Sequence, residues 1–277
     1  MPVAPRPADP AAPRYTELAP SPALAPWVEC YWSIRALAAP AVPNRVLPDG
    51  CADLIVGISG MPKPVVVGTM RRAAVYLLAG RVDLFGVRFR PGGAPRFLGV
   101  PLGELTDRRV PLDQLWGPAT AGLEDVFASP TLAARVARAE EVLRCRLRDP
   151  ARCRDGDEVL VAAAVALLRQ VRGGVGVREA AAALGVGERR LERAFGHAVG
   201  LGPKALTRVL RFRHALRAIG RVGRAPAGWA AVAAAAGYAD QSHLIREFKA
   251  LAGVTPARYA AEHRAVGFVQ DPDGAPA

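Results

Sequence analysis

From Trp27 onward, apolar and polar positions alternate. Val28, Cys30, Trp32 and Ile34 fall on one side and Glu29, Tyr31 and Ser33 on the other, the period-two pattern of a half-buried strand. The turn residues Pro48, Asp49 and Gly50 follow, then an apolar run over 54–58. Further short runs come at 65–67, 75–78 and 82–89, and Phe85, Val87 and Phe89 share one face of the last. Short strands at this spacing, punctuated by Gly and Pro, predict a β-rich domain, a sandwich or a barrel. Helical character begins near Pro95. The clearest predicted helix runs from Leu132 to Leu147, with Thr131 as N-cap and Leu132, Val136, Leu143 and Leu147 on one stripe. Residues 1–26 hold eight prolines and no periodicity and are expected to form a disordered or loosely packed arm. The polar stretch 149–158 reads as a linker, 159–264 as helical almost throughout, and 265–277 as a tail. A β-rich unit over 27–148 followed by an all-α unit predicts an α+β chain of two domains.

The helical half contains a repeat. VREAAAALGVGERRLERAFGHAVGLGP (177–203) aligns with WAAVAAAAGYADQSHLIREFKALAGVTP (229–256). Val177 matches Trp229, Ala181 matches Ala233 and Gly185 matches Gly237, each 52 residues apart. Leu191 then matches Leu244, Phe195 matches Phe248, Gly200 matches Gly253 and Pro203 matches Pro256, each 53 apart. One residue is therefore inserted in the second turn. Each copy has the physics of a helix-turn-helix: a short helix stopped by a glycine, a tight turn, and a second helix crossing the first. Small Ala181 and Ala233 let the helices approach closely. Leu191 with Phe195, and Leu244 with Phe248, are i,i+4 pairs that anchor the second helix. The opposite face then points outward, with Arg189, Arg190 and Arg193 in the first copy and Gln241, Ser242 and Arg246 in the second. Arg and Gln suit bidentate contacts with guanine and adenine edges. Between the copies, 204–219 reads as one helix with Pro203 in its first turn.

Composition agrees with this reading. The chain has 277 residues, 51% hydrophobic and 22% charged, as a folded protein does. Its net charge is +12, and residues 151–277 carry 19 basic against 11 acidic groups, compared with 18 against 14 in residues 1–150. The excess lies in the half that holds the repeat, where an anionic partner such as nucleic acid would sit. The longest apolar run, 159–168, is ten residues, short of the roughly 18 needed to span a bilayer. No apolar segment at the N-terminus suggests a secretory signal. Four cysteines are too few for a disulfide scaffold, so a reducing cytoplasm is expected.

The C-terminal residues, about 105 of them, resemble the DNA-binding domain of AraC/XylS-type transcriptional regulators. GYADQSHLIREFKALAGVTPARY is similar to that family's signature in its second helix-turn-helix. The resemblance implies seven helices, with the long 204–219 helix holding two helix-turn-helix units apart. It also implies that each unit places a recognition helix in a major groove, on successive turns of one DNA face. The family's base-reading positions fall on Arg189, Glu192 and Arg193, and on Gln241, Ser242, Ile245 and Arg246. Glu192 and Ile245 depart from ideal polar readers: Glu can accept from cytosine, and Ile can only meet a thymine methyl. Thr255 and Pro256 resemble the start of the family's last helix. In the N-terminal half, RVLPDGCADLIVGI (45–58) and FGVRFRPGGAPRFLG (85–99) are similar to an uncharacterised β-rich sensor domain of one branch of these regulators.

Other chemistry is weaker. All four histidines lie after residue 190, which argues against a cupin-type metal site or a Ser-His-Asp arrangement in the β-rich domain. Neither a cofactor nor a metal is expected. Cys30 and Cys51 read as small buried hydrophobes, with a thiol sensor pair as the alternative. Cys145 and Cys153 flank the expected linker among arginines. Asp49 and Asp53 read as turn formers, with a polar ligand contact as the alternative, and Arg88 and Arg90 as a solvated strand face or an anion clamp. His243 could touch phosphate or pack against the helix. The expected function is a cytoplasmic, sequence-specific regulator that binds double-stranded DNA and is not an enzyme. Lys204, Arg208 and helix N-termini would hold phosphates. A small-molecule effector of the N-terminal domain, a homodimer, and RNA polymerase for an activator are the further partners considered. The alternative is an enzyme or ligand-binding protein with DNA binding secondary.

Overall fold

The computed structural model describes residues 14–59, 63–149, 157–170, 176–221 and 228–266. Its N-terminal part is one six-stranded antiparallel sheet in the order β1-β2-β5-β3-β4-β6. The strands are β1 (Arg14–Leu18), β2 (Val28–Val46), β3 (Ala52–Ser59), β4 (Val65–Val67), β5 (Ala74–Phe89) and β6 (Arg109–Pro111). The β-rich domain thus takes the form of a single sheet among the described residues. The runs at 75–78 and 82–89 are one strand, β5, because Gly80 takes a φ of +65° where the β2–β5 register shifts.

The sheet carries buried side chains on both faces. Tyr31, Leu54, Phe85, Val87 and Phe89 are at most 1% exposed on the first. That face is covered by α1 (Pro95–Leu98), α2 (Asp113–Trp116), α3 (Glu124–Ala128) and α4 (Leu132–Leu147). Cys30, Trp32, Ile34, Leu78 and Val82 form a smaller cluster on the other. Tyr31, expected on a polar face, is therefore fully buried, stacked on Phe85 at 6.2 Å between ring centroids. The capping of α4 follows the sequence: Thr131 Oγ1 accepts from the Ala134 N–H at 3.1 Å. Ala139 and Leu143 press into the sheet's core, and Arg135 forks both Asp83 oxygens on β5 at 2.8 and 3.2 Å. The apolar stripe of α4 is thus consumed inside the chain.

The arm expected over 1–26 is not loose from residue 14 on. Arg14–Leu18 pairs with β2, and Leu24 is fully buried. Pro13 and Pro20 bracket a proline-free stretch, which can therefore donate its N–H groups to a neighbouring strand. Residues 1–13, 150–156 of the expected linker, and 267–277 of the tail lie outside the described residues. Asp157 and Glu158, assigned to the linker, already belong to a helix.

Among the described residues seven helices follow: α5 (Asp157–Gln170), α6 (Val177–Ala183), α7 (Glu188–Ala198), α8 (Pro203–Arg221), α9 (Gly228–Ala235), α10 (Gln241–Ala252) and α11 (Pro256–Val266). Their core centres on fully buried Phe195, Phe212 and Phe248. Phe248 meets Phe212 at 5.0 Å and Tyr259 at 5.5 Å, edge to face. Leu47 of the sheet domain joins this cluster. No described helix is long and apolar enough to cross a membrane.

Candidate nucleic-acid interface

The two repeats fold alike for a local reason. In the first, the Val186 N–H donates to the Ala181 carbonyl at 3.0 Å across Gly185, whose φ is +67°. In the second, the Tyr238 N–H donates to the Ala233 carbonyl at 2.9 Å across Gly237, at φ +78°. This is a Schellman stop in both, with an apolar residue just beyond the glycine. Ala181 and Ala233 are each 1% exposed and sit where the helices cross. Leu191, Phe195, Leu244 and Phe248 are all fully buried, so α7 and α10 are rolled with their other faces outward.

Those faces carry the expected side chains. Arg189, Arg190, Glu192 and Arg193 are exposed on α7, as are Gln241, Ser242 and Arg246 on α10, with Ile245 half-buried. Asp240 caps α10, its Oδ1 accepting from the His243 N–H at 2.6 Å. The His243 ring stands edge-on to Tyr238 at 5.2 Å, a packing role. Arg190 turns back to Asp157 of α5 at 3.2 Å. The position equivalent to Gln241 is Glu188, which the sequence reading left out. It lies 3.4 Å from Arg178.

Lys204 is exposed at the start of α8. Arg208, expected to hold phosphate, is instead occupied. Its Nε and Nη2 donate to the two Glu247 oxygens at 2.7 and 2.9 Å. That pair holds the Glu247 carboxyl below, and the Arg208 guanidinium above, their ordinary pKa values. The 19 residues of α8 separate the two units, a span of about 28 Å at 1.5 Å per residue.

The N-terminal domain grips both outward-facing helices at their far ends. Beyond α7, Thr69 Oγ1 donates to the Val199 carbonyl at 2.6 Å and Thr106 Oγ1 to the Gly200 carbonyl at 2.7 Å. At the end of α10, Arg45 Nη1 donates to the Ala252 carbonyl at 3.0 Å and the Ala73 N–H to the Leu251 carbonyl at 2.7 Å. The last carbonyls of a helix lack donors of their own, and a cation there also suits the helix dipole. The N-terminal halves of α7 and α10 stay open. No sequence signal marked Thr69, Thr106 or Arg45.

In the sheet domain, Arg88 is not on a solvated face. It is buried, with Nε 3.3 Å from Asp49 and 3.2 Å from Asp53. Trp32 Nε1 donates to the same Asp53 oxygen at 2.7 Å. Burial raises the Asp53 carboxyl, while Arg88 and Trp32 pull it down. Asp49 does form the expected turn, accepting from the Cys51 N–H at 2.9 Å. Arg90 bonds Glu29 at 2.8 Å. Cys30 and Cys51 are buried, and burial pushes both thiols up. Cys145 is exposed, and Cys153 lies outside the described residues. A cavity of about 240 Å³ opens on this face, walled by Trp32, Ile34, Tyr76 and Leu84 and floored by Asp53 and Arg88.

Residues 180–262 match a helix-turn-helix domain family, and residues 16–111 match a domain of unknown function (DUF6597). Among solved structures the chain is similar to ToxT from Vibrio cholerae, with 10% identity, covering 80% of this chain and 97% of that one at a TM-score of 0.42. ToxT from the same organism with a bound unsaturated fatty acid matches at 10% identity, 79% and 94% coverage and a TM-score of 0.41. No curated protein matches the chain. The C-terminal part is an AraC-type helix-turn-helix domain, the DNA-binding part of a transcription regulator, and the N-terminal part is a sheet domain of unassigned role.

Proposed function

We propose that this protein is a sequence-specific transcription regulator that reads two successive major grooves of double-stranded DNA with α7 and α10. What carries the reading is the pair of matched helix-turn-helix units, each with a buried Leu-Phe anchor and an exposed polar face. In α7 that face is Arg189, Glu192 and Arg193. In α10 it is Gln241, Ser242, Ile245 and Arg246. Lys204 and the open helix N-termini supply phosphate contacts. The N-terminal domain takes a small-molecule effector in the sheet cavity. Its grip on the ends of α7 and α10 is the route by which such a ligand would reach the DNA-binding faces.

The test is selection of a binding site from random duplexes, followed by single substitutions. Arg193→Ala and Gln241→Ala should each cost about 1–3 kcal/mol on the selected site and relax preference at one position each. The two relaxed positions should lie about 10 base pairs apart, one helical turn. Variants that keep wild-type affinity and preference would overturn the assignment of these helices.

A further inference from the structure

The bonds that grip the ends of α7 and α10 converge on one short connection. Residues 68–73, which join β4 to β5, reach both helix ends. The Thr69 hydroxyl binds the Val199 carbonyl just after α7. The Ala73 N–H, four residues on, binds the Leu251 carbonyl in the last turn of α10. Thr106 adds a second bond at the α7 end. Its hydroxyl, 3.3 Å from the Leu102 carbonyl as well, makes the shorter bond to Gly200. Arg45 adds a second at the α10 end, on the Ala252 carbonyl, and lies 3.5 Å from Glu262 of α11.

The connection is braced from within the sheet domain. The Gly68 N–H donates to the Arg108 carbonyl and the Asp107 N–H to the Thr69 carbonyl, each at 3.0 Å. Asp107 Oδ1 accepts from the Arg71 N–H at 2.8 Å, and its Oδ2 lies 2.8 Å from Arg71 Nε. Asp107 takes a φ of +57°, the one positive value outside glycine among the described residues. Such a conformation persists only where the surroundings hold it. A substituent on Gly68 would come 1.8 Å from the Leu105 carbonyl, so the two segments lie backbone against backbone.

Within the helical domain, α8 packs on α7 and on α9 and α10. A single helix resists twist between the units it joins only through the side chains packed on it. The connection supplies a second tie at the far ends of the recognition helices. Its bonds go to main-chain carbonyls, which cannot move without the helix that carries them. On B-form DNA each added base pair moves two groove sites apart by about 3.4 Å and turns one past the other by about a tenth of a turn. Two recognition helices tied on two sides cannot follow that change.

We propose that residues 68–73 form a strut that fixes the interval between the two recognition helices, with Thr69, Thr106 and Arg45 as positioning residues and Asp107 as its brace. The protein then binds one spacing of its two base-reading elements and rejects the neighbouring spacings. The inference rests on the two-groove reading and adds to it the residues that set the interval.

The full chain is titrated, by fluorescence anisotropy, with the selected duplex and with duplexes whose two elements stand one or two base pairs closer or farther apart. Wild type should lose at least about tenfold in affinity for a shift of one base pair. The Thr69→Val, Thr106→Val double variant should narrow that ratio by about fivefold or more. Arg45→Met, which releases the α10 end, should narrow it as well, and serves by itself if the double variant does not fold. Asp107→Gly keeps the left-handed backbone without the brace and should act in the same direction. Thr69→Ser, which keeps the hydroxyl, should keep the wild-type ratio. A purely structural role would weaken binding to every spacing alike and leave the ratio unmoved. That result in folded variants overturns the proposal, as does a wild type indifferent to spacing. If Arg193→Ala and Gln241→Ala still relax one position each, the two-groove reading survives that outcome and only the strut is lost. A selected site with a single base-reading element would remove both.

Discussion

At the scale of single residues, what matters is which cations are available to an outside anion. Lys204 is exposed, whereas Arg208 has both ends of its fork on Glu247. Lys204→Ala should therefore lower the slope of log K against log salt for DNA by about 1, and Arg208→Ala by clearly less. Equal losses in a filter-binding titration would mean that Arg208 leaves Glu247 on DNA. The same pair sets an acid response. The Glu247 carboxyl is held below its ordinary value by Arg208. Its contribution to stability is thus complete above the unfolded carboxyl pKa of about 4.3 and is lost as pH falls through the lower folded value. Glu247→Gln should flatten denaturation curves across that acid window. An unchanged pH profile would show that the pair contributes nothing measurable.

At the scale of elements, glycines with the same backbone angle do different work. Gly185 has φ +67° and a substituent there would meet nothing within 4 Å. Gly185→Ala should therefore cost only the left-handed backbone penalty of about 1–2 kcal/mol. Gly200 has φ +77°, but a substituent would come 2.6 Å from Thr106 Oγ1 and 2.9 Å from the Leu102 carbonyl. Gly200→Ala should cost clearly more, because it also breaks the joint between α7 and the sheet domain. Urea denaturation of the two variants separates these, and equal losses would contradict the joint. In α4, Leu143 is 1% exposed against the chain's own sheet. Leu143→Glu should destabilise by roughly 3 kcal/mol or more. A variant that stays fully stable but sediments as a smaller species would place that stripe between chains instead.

At the scale of the whole molecule, the two domains share structure. Leu47 packs into the helical core, and four backbone carbonyls at the ends of α7 and α10 take their donors from the sheet domain. A fragment of residues 158–265 retains its own apolar core. It should fold and bind the selected DNA site with steep salt dependence. It should also be less stable than the same domain in the full chain, by about 1 kcal/mol for each lost bond. A soluble, helical fragment without DNA affinity at low salt would count against an autonomous DNA-binding domain. One that melts with the full chain would count against the grip.

The sequence by itself determined the repeat, its turns, the roll of α7 and α10, and the cap of α4. Each is a local matter: a glycine stop followed by an N–H that bonds back five residues, an i,i+4 anchor, a threonine three residues ahead of an N–H. Such spacings are written along the chain and need no fold to be read. Only the tertiary structure decided that Arg88 is buried, that Arg208 belongs to Glu247 across 39 residues, and that Thr69 holds Val199 across 130. It also decided that Arg14–Leu18 joins the sheet and that Tyr31 faces a core. A charged or hydroxyl side chain on a strand has the same local pattern whether water or another domain meets it. Its partner is set by how the sheet and the helices pack, and no spacing in the sequence encodes that.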